Sequence, residues 1–243
     1  MRAPDGTFTT FDAPDAGFFI EPITINPEGA ITGRYVDASA AFHGFLRAPD
    51  GTFTTFDAPA AGTGFRQGTF GGGINPAGTI SGRYFDANFV SHGFLRAAEG
   101  SITTVDVPGA GTGFRQGTYS SGGINPAGAF SGPYVDASNI SHGFLRARDG
   151  TISTFDVPGS MNATPTGMNP GGMITGYYVD ANSVGHGFLR SRDGSFTTFD
   201  APGAAGTLPS NVASTGAITG NYLDANGTSH GFLRIPHGAH GNK

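Results

Sequence analysis

The sequence predicts an all-β fold built from five copies of one repeat, and three observations support this prediction. The string HGFLR occurs five times, beginning at His43, His92, His142, His186 and His230. The residues between these strings form short β-rich runs without a helical period. Asp-Gly dipeptides such as Asp50-Gly51 mark chain reversals between strands. Repeats spaced 44 to 50 residues apart, with four predicted strands each, have the size of propeller blades. The predicted fold is therefore a five-bladed β-propeller of four-stranded antiparallel blades.

Each repeat divides into four strands, a to d. Strand a ends at an Asn-Pro motif, and in the first repeat we expect strand b over residues 30–37, strand c over 43–48 and strand d over 52–57. A two-residue turn at Asp50-Gly51 pairs Phe45 with Phe56. The b–c hairpin then places Asp37 opposite His43. Strand c is apolar on both faces, as expected for blades that are covered on both sides.

The two chain ends predict how the ring closes. Residues 1–14 form a strand d without its own a, b and c, while the last repeat lacks strand d. We therefore expect residues 1–14 to complete the last blade as its outer strand, which removes two exposed strand edges. The predicted domain covers residues 1–236, with blades at about 18–58, 68–107, 117–157, 162–201 and 207–236, and a flexible tail at 237–243.

Composition excludes several classes of function. The chain has 243 residues, a net charge of −5 and one lysine, which argues against binding to nucleic-acid phosphates. It contains no apolar stretch long enough to span a membrane and no N-terminal signal segment, so no membrane partner is expected. Cysteine is absent, which excludes disulfides, thiolate metal ligands and cysteine nucleophiles. We expect a monomer.

The motif I-N-x-x-G-x-I-x-G-x-Y, followed by H-G-F-L-R and D-G, resembles the HAF repeats of extracellular bacterial proteins. That family is named for a His-Ala-Phe tripeptide, which is His-Gly-Phe here, and arginine follows leucine where the family often has tryptophan. The resemblance covers nearly the whole chain. It implies a repeat architecture and an extracellular location, and it carries over no catalytic residue.

One histidine and one Y-x-D-A aspartate in each repeat are predicted to lie on the face of the d–a and b–c connections. Imidazole and carboxylate are good ligands for a divalent metal, the one cofactor considered, so the metal-ligand candidates are His43, His92, His142, His186 and His230. The alternative is a charge-assisted hydrogen bond that every blade needs to fold. Repetition in all blades favours this structural interpretation. The arginines of HGFLR are likewise expected to pair with acids or to cover aromatic rings.

Function is expected where the repeat breaks its own symmetry. Two long d–a connections share the string AGTGFRQGT, and an arginine beside an aromatic ring suits a carboxylate, a phosphate or a sugar ring. Their candidate ligand-binding residues are Phe65, Arg66, Gln67, Phe114, Arg115 and Gln116. Recent duplication without function explains the same similarity.

The repeats also differ from one another at two further positions, one in strand a and one in strand b. Glu21 is a candidate general base or metal ligand, or else a solvated loop residue. The matching positions in the other repeats are assigned to Phe70, Ser120, Thr164 and Leu208. The residue after the strand-b glycine also varies, and Arg34 and Arg83 are ligand-binding candidates there.

Two functions remain open, with a structural repeat as a third alternative. The favoured one is a module that binds a small molecule, such as a sugar, between blades or at the mouth of the channel. The other is a metal-assisted hydrolase of an ester, phosphoester or glycoside, with its site on the face of the d–a and b–c loops.

Overall fold

The computed structural model describes residues 6–120 and 123–236, and it is built from β-strands joined by short turns. The strands are β1 Phe19–Ile25, β2 Ile31–Val36, β3 Phe42–Arg47, β4 Phe53–Phe56, β5 Gly68–Ile74, β6 Ile80–Phe85, β7 Ser91–Arg96, β8 Ile102–Val105, β9 Gly117–Thr118, β10 Phe130–Val135, β11 Ser141–Arg146, β12 Ile152–Phe155, β13 Asn162–Met168, β14 Ile174–Val179, β15 Gly185–Arg190, β16 Phe196–Phe199, β17 Gly206–Val212, β18 Ile218–Leu223 and β19 Ser229–Arg234. The described part of the chain contains no helix suited to crossing a membrane. The tail predicted at 237–243 lies outside the described residues.

Within the described ranges the strands form five units, each an antiparallel meander in chain order. Units 1 to 4 are β1–β4, β5–β8, β9–β12 and β13–β16, and unit 5 is β17–β19. Strands b, c and d of the first repeat are confirmed to within one residue of the predicted bounds. Single parallel pairs, Phe42 with Gly68 and Ser91 with Gly117, join units 1, 2 and 3. The predicted all-β repeat is therefore present.

The predicted register of the c–d hairpin is wrong by one residue. Gly44 lies opposite Phe56, and Phe45 lies opposite Thr55. The turn has three residues instead of two, because Ala48 N–H donates to the Thr52 carbonyl and Gly51 N–H donates to the Ala48 carbonyl. Gly51 has a φ of 95°, as the last residue of a three-residue hairpin with a bulge requires. The proline before Asp50-Gly51 thus belongs to the turn.

The b–c hairpin also differs from prediction. Tyr35, and not Asp37, lies opposite His43. Asp37 belongs to the loop, where its carboxylate accepts hydrogen bonds from the N–H groups of Ser39 and Ala41. Because these bonds fix a five-residue turn from Asp37 to Ala41, the strands begin to pair after it, and the register shifts by two.

The hydrophobic cores lie between consecutive units. Phe56 and Ala58, at the end of unit 1, pack with Ile80 and Phe94 of unit 2. The same arrangement recurs between units 2 and 3 and between units 3 and 4. Ala58 N–H donates to Thr69 Oγ1 of the next unit at 2.9 Å. Each unit therefore completes its core with the end of the preceding unit.

The arginines of HGFLR cover aromatic rings, which confirms one of the two predicted roles. The guanidinium carbon of Arg96 lies 5.0 Å from the ring centroid of Phe56. Arg190 covers Phe155 at 4.9 Å, and Arg234 covers Phe199. In these three cases the ring belongs to the preceding unit, so the arginine links two units through a cation–π contact.

The first and fifth units expose more large apolar side chains than the units between them. Phe11 packs on Phe53 of unit 1, and Ala13 is buried in the core of that unit. At the other end, β19 is the last strand of its sheet among the described strands. Closure of a five-bladed ring by residues 1–14 therefore stays a prediction, and residues 1–5 of that segment lie outside the described residues.

Candidate functional site

The two long d–a connections contain the segments 65–67 and 114–116, each with the sequence FRQ, and are called the FRQ connections. They pack against the b–c loops, on the face where the sequence places them. Arg66 N–H donates to the Ala40 carbonyl, and Gln67 Nε2 donates to the Ala87 carbonyl. Gln67 is buried, and its Oε1 accepts from Gly64 N–H. Gln116 is buried in the same way and bonds to the Ala137 carbonyl. Each connection is therefore bonded to the b–c loops of two neighbouring units, through the backbone of its arginine and the side chain of its glutamine.

The aromatic and arginine residues of these connections face outward. Phe65 and Phe114 are each about two-thirds exposed. The guanidinium carbons of Arg66 and Arg115 lie 5.5 Å from the centroids of these rings. Exposed cation–π pairs on neighbouring units form a surface, and the structure assigns no carboxylate partner to either arginine within the described residues.

The five candidate histidines occupy one repeated arrangement. His43 stacks on Tyr35, its Nδ1 lies 2.8 Å from Asp57, and its Nε2 lies 3.4 Å from Asp37. The equivalent two aspartates of units 2, 3 and 4 flank the histidine of each of these units. In unit 5, Tyr222 stacks on His230. The sequence predicted an Asp–His contact across the b–c hairpin, but the shorter contact is made to the aspartate of D-[AV]-P.

This arrangement distributes the histidines one to a unit. The rings of units 1 to 4 each lie between two carboxylates of their own unit, and His230 contacts Asp224. No group of three or more metal-ligating side chains is found among the described residues. The metal-ligand candidates are therefore not brought to one centre. The geometry instead matches the structural alternative, a charge-assisted contact that ties strand c to both of its neighbours.

The pKa values of His43 and His186 are raised. Partial desolvation opposes protonation of each ring, but hydrogen bonds and charges of the flanking aspartates outweigh it. The pKa of Asp180 is lowered, because it accepts a hydrogen bond from Val184 N–H and further bonds outweigh its desolvation. Burial also raises the pKa of Tyr35, the ring beneath His43.

The raised histidine pKa values predict a pH-dependent stability. A histidine whose pKa is higher in the folded state stabilises the fold fully below its unfolded pKa of about 6.5, and this contribution is lost as the pH rises through the folded value. The urea midpoint should therefore fall between about pH 6 and pH 8.5. Asp57→Asn should reduce this fall by removing the Nδ1 partner of His43.

The matched control for that measurement is Asp50→Asn. Asp50 is a turn carboxylate whose pKa is lowered by hydrogen bonds from Thr52, so its contribution is lost only in acid. The variant should keep the wild-type difference between the two pH values. A fall that is equally large in Asp57→Asn would contradict the role assigned to the histidine pair.

The remaining candidates, Glu21, Arg34 and Arg83, meet on neighbouring units. Glu21 lies opposite Arg34 on strands β1 and β2, and Arg34 Nε donates to Glu21 Oε2 at 2.7 Å. Arg34 and Arg83 both contact Phe70, with their guanidinium carbons 5.1 and 5.0 Å from its centroid. Phe42 stacks on the same ring at 4.4 Å.

Arg83 differs from Arg34 in having no acidic partner. Its guanidinium carbon lies 5.2 Å from the Tyr119 ring and 5.8 Å from the Phe85 ring. Its Nε is buried without a hydrogen-bond partner, and the part of the chain that the structure describes places no carboxylate within ion-pair distance. Burial, followed by the charge of Arg34, lowers the pKa of Arg83, but an arginine remains cationic at neutral pH.

Both arginines line a central cavity of about 430 Å³. Its wall takes residues from all five units, and in units 1, 2, 4 and 5 these lie at or next to the bulges that interrupt the pairing of the first strand with the second. The polar wall residues are Thr24, Ser81, Ser120, Thr166, Ser210 and Asn211. A cavity with hydroxyl and amide groups and one unneutralised guanidinium suits a small polar anion.

Sequence reasoning missed Tyr119 and the role of Phe70. Because Tyr134 pairs with Thr118, Tyr119 of unit 3 occupies the position of Glu21, which the sequence assigns to Ser120. Aligning the strings Gln67-Gly-Thr-Phe70 and Gln116-Gly-Thr-Tyr119 would have shown that two long connections each end at an aromatic ring. Tyr119 also joins the two candidate regions, since its hydroxyl donates to the Arg115 carbonyl at 2.8 Å.

Comparison with known proteins supports the fold and goes no further. No family model and no curated protein matches the chain, so the resemblance to HAF repeats rests on the motifs alone. Among solved structures, the chain is similar to virginiamycin B lyase from Staphylococcus aureus, a seven-bladed β-propeller. The TM-score is 0.57 at 16% identity, over 95% of this chain and 75% of that one. The fold is thus all-β, with repeated antiparallel units that resemble the blades of a β-propeller.

Proposed function

We propose that the protein binds a small organic anion, such as an acidic sugar, in the central cavity, with Arg83 as the charged anchor. The observation that carries the proposal is the difference between two equivalent arginines. Arg34 is neutralised by Glu21, while Arg83 has no carboxylate partner in the described structure. A partly buried cation without a counter-ion favours an anionic ligand, because the ligand supplies the missing charge.

The surroundings of Arg83 support a ligand with a ring. Phe70 and Tyr119 present aromatic surface beside the guanidinium, and the polar part of the cavity wall includes Thr166, Ser210 and Asn211. A sugar acid would place its carboxylate on Arg83 and its hydroxyl groups on this polar wall. We take the five units as five blades around this cavity, with residues 8–12 as the outer strand of the fifth.

The metal-assisted hydrolase receives less support from the geometry. Its proposed base, Glu21, lies in an ion pair with Arg34, and the metal-ligand candidates of units 1 to 4 are each flanked by two aspartates of their own unit. The exposed Phe65–Arg66 and Phe114–Arg115 pairs remain a second contact surface for the same class of ligand, because a guanidinium over an aromatic ring binds carboxylates there too.

The test is calorimetric titration with glucuronate and with glucose, which differ in one carboxylate. We expect glucuronate to bind at least about tenfold more tightly than glucose, corresponding to one charge-assisted hydrogen-bonded pair. Arg83→Ala should remove this preference. Glu21→Gln should strengthen glucuronate binding, because it releases Arg34 as a second cation.

Arg148→Ala is the matched control, since Arg148 is exposed in a c–d turn and contributes the same net charge. It should leave glucuronate binding unchanged. Equal affinities for the two sugars, or glucuronate binding that survives Arg83→Ala, would contradict the proposal. A loss in Arg115→Ala alone would move the site to the exposed connection.

A further inference from the structure

The two FRQ connections share a sequence, but the side chains around them differ. Each makes the same backbone contact with a b–c loop, where the arginine N–H donates to the carbonyl of Ala40 in one case and of Phe89 in the other. The Phe89 ring packs on Phe114, with ring centroids 5.4 Å apart. Ala40 offers no ring to Phe65. Within the described residues, only the FRQ connection between units 2 and 3 therefore continues into another aromatic side chain.

From Phe89 the aromatic contacts continue to the central cavity. The Phe89 ring lies 6.1 Å from the Phe85 ring, and Phe85 meets Tyr119 edge-on at 6.0 Å. The guanidinium of Arg83 lies beside Phe85 and Tyr119. At the outer end, the Tyr119 hydroxyl donates to the carbonyl of Arg115. We call this run of partly or largely exposed rings the aromatic path, and its members are Phe85, Phe89, Phe114 and Tyr119.

The fold does not require a phenylalanine at position 89. Its backbone has a φ of 61°, a left-handed conformation that is unfavourable for a bulky side chain. The other units also have a positive φ at this loop position, and they place smaller residues there: Ala40, Asn139, Ser183 and Gly227. Phenylalanine at this position is therefore better explained by the rings that it joins than by folding.

Each end of the aromatic path carries an arginine without an acidic partner. Arg83 lies at the inner end, and Arg115 is exposed at the outer end, with no described carboxylate within ion-pair distance. Burial raises the pKa of Tyr119, while the charges of Arg83 and Arg115 oppose this rise, so the ring lies within reach of both cations. The loop that holds Phe89 contributes a carboxylate, Asp86, which disfavours an anionic group between the two ends.

We propose that the site is extended, and that its ligand is a linear oligosaccharide in which acidic and neutral sugars alternate. One carboxylate binds Arg83 in the cavity, and the next acidic sugar binds Arg115 on the outer face. The neutral sugar between them packs its apolar face on the aromatic path. This inference rests on the proposed function, because it uses the same anchor, and it adds a second anchor and a minimum length of the ligand.

The test is calorimetric titration with glucuronate and with a tetrasaccharide that alternates glucuronate and N-acetylglucosamine. We expect the tetrasaccharide to bind at least about tenfold more tightly than glucuronate, because it gains a second charge-assisted pair. Arg115→Ala should bring the two affinities to within about twofold of each other. Phe89→Ala should reduce the difference as well, and unit 1 already folds with alanine at this position, so the loop should be preserved.

Phe18→Ala and Arg148→Ala are the matched controls. Phe18 is an exposed ring in a different d–a connection, and Arg148 is an exposed arginine in a c–d turn. Both variants should keep the wild-type ratio of the two affinities. A tetramer of N-acetylglucosamine, which has no carboxylate, should bind more weakly than the alternating tetrasaccharide.

The outcomes separate this inference from the proposed function. If neither glucuronate nor the tetrasaccharide binds, both are overturned. Glucuronate binding without a gain for the tetrasaccharide would overturn the extended site alone. A gain that survives Arg115→Ala, or that Arg66→Ala abolishes equally, would also overturn it, because the ligand would then not follow the aromatic path. Tighter binding of a four-residue oligothymidylate than of the tetrasaccharide would assign the path to single-stranded nucleic acid instead.

Discussion

Replacing Phe94 by alanine is expected to lower the free energy of unfolding by about 3–5 kcal/mol, the usual range for a buried phenylalanine. The ring is fully buried between units 1 and 2 and meets Phe56 edge-on at 6.1 Å. Its inner edge lies on the backbone of Gly82, where an added Cβ would approach the ring to 2.5 Å. Because strand backbone on that side cannot move into the space, the cavity should remain largely unfilled.

Equilibrium unfolding in urea measures this loss, with Phe114→Ala as the matched control. Phe114 belongs to the same residue type but is 66% exposed, so its replacement should change stability by less than about 0.5 kcal/mol. Similar losses in the two variants would show that burial between units is not the source of stability. A loss of several kcal/mol is a large share of the 5–15 kcal/mol that typically stabilises a folded chain, as a rough guide.

The second large effect is expected for Gly68→Ala, at the parallel bridge between units 1 and 2. Gly68 has a φ of 111°, and a Cβ at this position would collide with the carbonyl oxygen of Phe42. Positive φ costs an alanine about 1–2 kcal/mol, and forcing the bridge apart should add roughly 1–3 kcal/mol. We therefore expect a loss of roughly 2–5 kcal/mol in a urea titration.

Gly109→Ala separates these two contributions. Gly109 has a similar φ of 90°, but nothing lies within 4 Å of the position its Cβ would take. It should lose only the conformational part, about 1–2 kcal/mol. If both variants lose the same amount, the contact with Phe42 contributes nothing and the bridge between units is not tightly packed.

The repeat allowed the positions of the strands to be predicted from sequence, but not the register in which neighbouring strands pair. Strand bounds follow from β-rich runs between turn residues, and these are local signals. Register depends on how many residues each turn takes up, and the Asp50-Gly51 dipeptide does not reveal that Pro49 belongs to the turn. The loop position of Asp37 was missed for a similar reason, because its carboxylate bonds to its own loop and not across the hairpin.

The candidate site was predictable only in its parts. Symmetry breaks pointed to Glu21, Arg34 and Arg83 separately, but nothing in their spacing showed that Arg34 and Arg83 share one ring, that of Phe70. That contact depends on the angle between neighbouring units. The structure also gives the FRQ connections two roles, since Gln67 and Gln116 hold loops together while Phe65 and Phe114 remain exposed. Because both roles belong to one repeated motif, the sequence alone does not show which of its residues are buried and which are exposed.

The sharing of each core by two consecutive units has a consequence for how the chain folds. In the described structure, the cores of units 2, 3 and 4 each include residues from the end of the preceding unit, so an isolated repeat should not be stable, and structure should propagate along the chain from a nucleus of at least two adjacent repeats. During synthesis, the apolar residues at the end of a unit, such as Phe56 and Ala58, remain solvent-facing until the next repeat emerges. The near-identical sequences of the repeats then make mispairing between non-adjacent units the characteristic folding error of this chain.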